Sequence, residues 1–190
     1  MQRIAAYQGC FLNHLEGFYR PGDRELAVEL VEALGLVATD LQFTASSRPV
    51  LAVHPNGDDR DPTNNVMFLY EMPSVQRRFI ELLEDRIAGD SELSEAARDY
   101  REAVKAMPPI MPHFGLRFAS SEALDAALGK LASKISPALS ERVSVWEVPP
   151  YEPIEGLPDI RQVFVRTDIF SIGASGMEQA FELQVDRSQA

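Results

Sequence analysis

The stretch MPPIMPHFGLRF, residues 107 to 118, decides how this chain is read. Its second half alternates in character: Phe114, Leu116 and Phe118 fall on one side of an extended segment, and His113, Gly115 and Arg117 on the other. The apolar side is expected to meet a helix, which turns His113 to the opposite face of a sheet. Directly afterwards, SSEALDAALGKLASKI (120–135) places Leu124, Ala127, Leu128, Leu131 and Ile135 on one helical stripe. Three further strand candidates follow: RVSVWEV (142–148), RQVFVRTDIFSI (161–172) and EQAFELQV (178–185). The order is strand, helix, three strands.

Upstream the same order recurs. CFLNHLEGFY (10–19) reads as a strand closed by the Pro21-Gly22 pair, and Leu26, Leu30, Val31 and Leu34 form a helical stripe that ends at Gly35. Strand candidates follow at 36–44, 49–55 and 64–72. Counting from each histidine aligns the halves: seven residues after His14 stand Pro21 and Gly22, and seven after His113 stand Ser120 and Ser121. Two five-element series, each with a histidine in its first strand, point to an internal repeat. Residues 1–73 and 109–190 are the two βαβββ modules. Between them, 74–108 reads as a helical insert with apolar stripes at Val75, Phe79, Leu82 and Leu83 and again at Leu93, Ala97, Tyr100, Val104 and Met107, broken at AGDSE. The expected class is α+β, with the paired modules forming a cupped mixed sheet and the insert packed outside it or at a dimer contact.

Composition narrows the function. With 190 residues and 45% hydrophobic content, the chain can bury a sizeable core. Twenty-nine acidic against eighteen basic side chains give a net charge of −11, which repels phosphate backbones and anionic lipid, so neither nucleic acid nor membrane is an expected partner. No apolar run approaches the roughly 20 residues of a membrane span, and a cytoplasmic location is expected. Cys10 is alone, which excludes an internal disulfide and a zinc site built on several thiolates; packing is its expected role. There is no phosphate-binding glycine loop, nucleophile elbow or Cys-x-x-Cys.

In the last strand, alternation sends Phe181, Leu183 and Val185 toward the helix and Glu182 and Gln184 to the face of His113. The first half has His14 with Glu16 and Phe18 on its face. The paired βαβββ order, with NHLEGF, PHFGLRF and AFELQV, resembles the vicinal oxygen chelate superfamily, which includes glyoxalase I, extradiol dioxygenases, fosfomycin-resistance transferases and metal-free bleomycin-binding proteins. The resemblance covers both halves but not the insert. It implies metal ligands from first and last strands, here His14, His113 and Glu182, around a divalent Fe, Mn, Ni or Zn ion. If Glu71 faces the cavity, the set becomes the four-ligand one of a glyoxalase; if not, three ligands resemble dioxygenases and fosfomycin transferases. Strand centring puts Phe68 or Leu69 where the fourth ligand would lie.

On that resemblance the leading expectation is a metal-dependent enzyme acting on a small molecule that chelates through vicinal oxygens, by lyase or isomerase chemistry or by ring-cleaving dioxygenation. Glu182 or Glu71 would serve as catalytic base. The alternative is a metal-free small-molecule binding or sequestering protein of the bleomycin-resistance type. Arg117 is a candidate for a substrate carboxylate or for an ion pair with Glu16, while Tyr70 and Trp146 are candidate cavity walls or stacking surfaces. His54 precedes Pro55 at a hairpin, where a surface position is expected, with acid-base work as its other reading. A second copy of the chain is a candidate partner.

Overall fold

The computed structural model describes residues 14–42, 44, 49–61, 65–107, 113–149, 159–171 and 179–186. Cys10 and residues 172–178 lie outside them. The first module comprises β1 (His14–Tyr19), α1 (Arg24–Ala33), β2 (Val37–Leu41), β3 (Val50–His54) and β4 (Val66–Glu71). The insert is α2 (Ser74–Ala88) and α3 (Ser91–Ala106). The second module comprises β5 (His113–Arg117), α4 (Ser121–Ser133), α5 (Pro137–Ser140), β6 (Val143–Glu147), β7 (Ile160–Thr167), β8 (Phe170–Ser171) and β9 (Gln179–Asp186). The protein is α+β, with two βαβββ modules and a helical insert.

Each module builds its sheet by one rule. The first strand pairs parallel with the last, the last runs antiparallel to the third, and the third antiparallel to the second. Two mixed sheets result, ordered β2-β3-β4-β1-β8 and β5-β9-β7-β6. Local chemistry sets the helix ends. Gly22 (φ 88°) turns the chain out of β1, and Gly35 (φ 85°) closes α1, both in the left-handed region that glycine adopts without a Cβ penalty. Ser120 caps α4 by accepting a hydrogen bond from the Ala123 amide at 3.3 Å.

The apolar faces of both sheets close on one core. Leu30 and Val31 of α1 join Leu124 and Leu131 of α4, with Leu69 and Leu183 from the two last strands. All six side chains are buried. Polar contacts tie the modules together beside this core. Arg142 donates bidentately to Asp23 at 2.8 Å for each bond, and through Nε to Asp168 at 2.8 Å. Asp23 stands at the N-cap position of α1 but makes no capping bond with its side chain. Glu29 of α1 accepts from the Ser136 amide and hydroxyl, where Ser136 caps α5.

Two arrangements differ from the sequence expectation. The strand expected over 161–172 breaks at Asp168 and Ile169, because Thr167 Oγ1 accepts from the Ile169 amide at 3.1 Å and bends the chain. Phe170 and Ser171 then cross to the first sheet and pair with Tyr19 and Phe18. The second difference concerns the insert. Val104 of α3 packs against Phe164 and Ala180, on the face of the second sheet that carries His113 and Glu182. The insert therefore reaches the interior face that the sequence reading left open for a ligand.

Candidate functional site

Strand pairing in the second module places residues in rows that share a face. Gly115, Glu182, Phe164 and Trp146 form one row across β5, β9, β7 and β6. His113, Ala180 and Arg166 form the row on one side of it, and Arg117, Gln184 and Gln162 the row on the other. All lie opposite the core-facing Leu116, Leu183 and Val163. Glu182 is only 6% exposed. A carboxylate taken that far from water needs partners. Its Oε2 lies 3.4 Å from His113 Nε2, and its Oε1 accepts a hydrogen bond from the Gln162 amide. The His113 ring stands edge-on to Phe164 at 5.2 Å, and Trp146 tilts against Phe164 at 6.1 Å. Aromatic rings thus form the floor of a His113, Glu182 and Gln162 cluster.

The first module repeats this register residue for residue. His14 lies opposite Val66 as His113 lies opposite Ala180, and Glu16 lies opposite Phe68 as Gly115 lies opposite Glu182. Phe68 therefore occupies the place of Glu182. It is buried with Val50, Ala52 and Val66, and the exposed His14 ring tilts against it at 5.9 Å. Glu71 lies opposite Tyr19, and strand alternation puts it on the side of Met67 and Leu69, which face the core. It is exposed at the end of β4 and does not share the face of His14. Tyr70 does share that face, with its ring 6.3 Å from Phe18; burial, and after it the Glu16 charge, push its phenol upward. Arg117 is exposed at the end of β5, in a different sheet from Glu16.

Among the described residues, no three His, Cys, Asp or Glu side chains form a group that could hold a metal ion. The expected set of His14, His113, Glu182 and Glu71 does not fit a metal in this arrangement. The cause is register and alternation: one pair, His113 with Glu182, is adjacent, His14 belongs to the other sheet beside an aromatic residue, and Glu71 faces the wrong way. His54 also departs from expectation. It is buried at 2% exposure, its Nδ1 has no hydrogen-bond partner among the described residues, and burial followed by the Arg60 charge lowers its pKa.

Sequence reasoning missed Gln162, the neutral partner of Glu182. Its signal was present in RQVFVR, where Gln162 and Phe164 alternate against Val163 and Val165. It also missed two concavities. One, of about 290 Å³, lies where β1 and β8 meet α2; Phe18, Ile80 and Phe170 line it, with Arg20 at its rim. Ser171 joins that lining at 6% exposure, and its Oγ has no hydrogen-bond partner among the described residues. A smaller cleft of about 150 Å³ brings His14, Pro55 and Asn65 toward Phe114, Gly115 and Leu116, where the two sheets approach.

No family model and no curated protein matches the chain. Among solved structures it is similar to a hypothetical protein from S. aureus, at 11% identity and a TM-score of 0.41, covering 92% of this chain and 99% of that one. No helix among the described residues is long and apolar enough to cross a membrane.

Proposed function

We propose that the protein is a small-molecule-binding protein of the vicinal oxygen chelate type that holds its ligand through side chains without a metal. The observation that carries this reading is Phe68 standing where the repeat would call for a second carboxylate. One module keeps a His-carboxylate pair, and its counterpart has a His-aromatic pair suited to apolar contact. The cavity at Phe18, Ile80 and Phe170 offers an apolar enclosure with the Ser171 hydroxyl inside it. A small amphipathic ligand with one hydrogen-bonding group fits that chemistry. Ligand-observed NMR with a panel of small amphipathic molecules tests the reading. Binders are expected whose signal is lost in Ser171→Leu, with folding verified by circular dichroism. A panel in which no molecule responds to that substitution overturns it.

A second reading, a glyoxalase- or dioxygenase-like metal enzyme, draws support from the equal register of His14 and His113 in their modules. It requires the two imidazoles to be drawn together from separate sheets. Titration of the full chain with Mn(II), Fe(II), Ni(II) and Zn(II), followed by metal analysis, separates the two readings. One equivalent retained by the parent chain and lost in both His14→Ala and His113→Ala favours the enzyme; no stoichiometric retention favours the binder.

A further inference from the structure

Five charged side chains border the cavity where β1 and β8 meet α2, and their balance indicates the head group that would enter it. Asp168 is committed elsewhere, because its Oδ1 accepts from Arg142 Nε at 2.8 Å. That leaves Arg20 with Glu84, 3.9 Å apart, and Arg77 with Glu81, 3.7 Å apart. Both separations exceed hydrogen-bond length, and the four side chains are 40–57% exposed, so these are loose pairs at the mouth. A lone anion would take the guanidiniums and leave two glutamates facing it; a lone cation would do the reverse. A zwitterion matches both signs. Arg77, Glu81 and Glu84 share one face of α2 with Ile80, the residue that this helix buries, so the charged rim stands directly beside the apolar wall.

Inside the mouth the lining is apolar and contains one hydroxyl. Met72, Ile80 and Phe170 are buried, Phe18 is half-buried, and Ser171 stands opposite Phe18 where β8 joins β1. Ser171 is 6% exposed and its Oγ has no hydrogen-bond partner among the described residues. A buried hydroxyl in that state favours a polar group that reaches it. A volume of about 290 Å³ lies at the small end of ligand sites, which suits one metabolite-sized molecule. We propose that this cavity takes a zwitterionic α-amino acid with an aromatic, hydroxyl-tipped side chain, represented by tyrosine: carboxylate toward Arg20 and Arg77, ammonium toward Glu81 and Glu84, ring among Phe18, Ile80 and Phe170, and phenol at Ser171 Oγ. The inference rests on the reading of the chain as a small-molecule-binding protein and names the class of its ligand. Entry of the head group exchanges two loose ion pairs for charge-assisted hydrogen bonds to the ligand.

Isothermal titration calorimetry of the full chain with L-tyrosine, tyramine, desaminotyrosine and L-phenylalanine tests the proposal. Tyramine lacks the carboxylate, desaminotyrosine the ammonium and phenylalanine the hydroxyl. Tyrosine is expected to bind, and each of the others about tenfold or more weakly, the size of one lost hydrogen bond at a charged or buried group. Arg20→Ala should weaken tyrosine and desaminotyrosine and leave tyramine as it was. Glu84→Gln should weaken tyrosine and tyramine and leave desaminotyrosine as it was. Ser171→Ala should remove the advantage of tyrosine over phenylalanine, with circular dichroism verifying the fold of each variant. Tyramine or desaminotyrosine binding as tightly as tyrosine overturns the zwitterion while the reading as a binding protein stands. So does tyrosine binding that both Arg20→Ala and Glu84→Gln leave unchanged. Silence of all four compounds also overturns the proposal, and the reading beneath it falls only when the wider amphipathic panel is silent too.

Discussion

Glu182 Oε2 lies 3.4 Å from His113 Nε2, and the same register in the other module sets His14 against Phe68. The two histidines occupy equivalent positions with unequal surroundings. Removing the His113 ring leaves a buried carboxylate that the Gln162 side-chain amide still bonds but no imidazole faces, so His113→Ala should destabilise the chain by about 1–2 kcal/mol. In Glu182→Gln the penalty shrinks because the group is neutral, and a double-mutant cycle should return a coupling of about 1 kcal/mol. His14→Ala should cost about 0.5 kcal/mol or less, since that ring is exposed. Urea denaturation of the four variants measures all three values; equal costs for His14→Ala and His113→Ala would refute the asymmetry.

Arg142 joins Asp23 of the first module to Asp168 of the second. Hydrogen bonding to Asp23, the leading influence, and to Asp168 raises its already high pKa, so the guanidinium stays charged at any working pH. Asp23 is 15% exposed and would be left without its charge partner in Arg142→Ala. A loss of about 2–3 kcal/mol is expected, with Arg142→Lys recovering only part of it because an ammonium cannot bridge both carboxylates in the same geometry. The midpoint of chemical unfolding reads this out; a shift within error of the parent chain excludes the link as a stabilising one.

Burial, with the Arg60 charge behind it, holds His54 below the ordinary imidazole value of about 6.5. Between that value and the lower native one, the unfolded chain binds more protons than the folded chain. The contribution of His54 to stability is therefore present above about pH 6.5 and is lost as pH falls through the native value. Substituting His54→Leu should flatten the decline in melting temperature over that interval. An unchanged slope would assign the acid sensitivity to other groups.

Much of the architecture was legible because its signals are local. The alternation in HFGLR and AFELQ fixed which side chains share a face, and the stripes of Leu30 with Val31 and Leu124 with Leu131 fixed two helices. The break in the insert at Gly89 and Asp90 was equally plain, since Asp90 caps the following helix. What failed depends on contacts distant in sequence. The passage of Phe170 into the other sheet turns on a hydroxyl of Thr167 and on a free edge at β1, neither visible as a pattern. The position of Glu71 illustrates the cost of a single-residue offset: alternation is unforgiving, and Leu69 rather than Phe68 being core-facing sends Glu71 to the core side as well. His54 was misplaced because a histidine before proline resembles a turn, whereas β3 is buried through its last residue.

The exchange of β8 between sheets also bears on how the polypeptide is made. A ribosome delivers the first module long before Phe170 and Ser171 emerge, so the nascent protein carries an unsealed β1 margin and half of a shared interior until those two residues have been made. Biogenesis is consequently a joint commitment of both modules, and a truncation that stops before residue 170 is expected to yield aggregates in place of a folded first half.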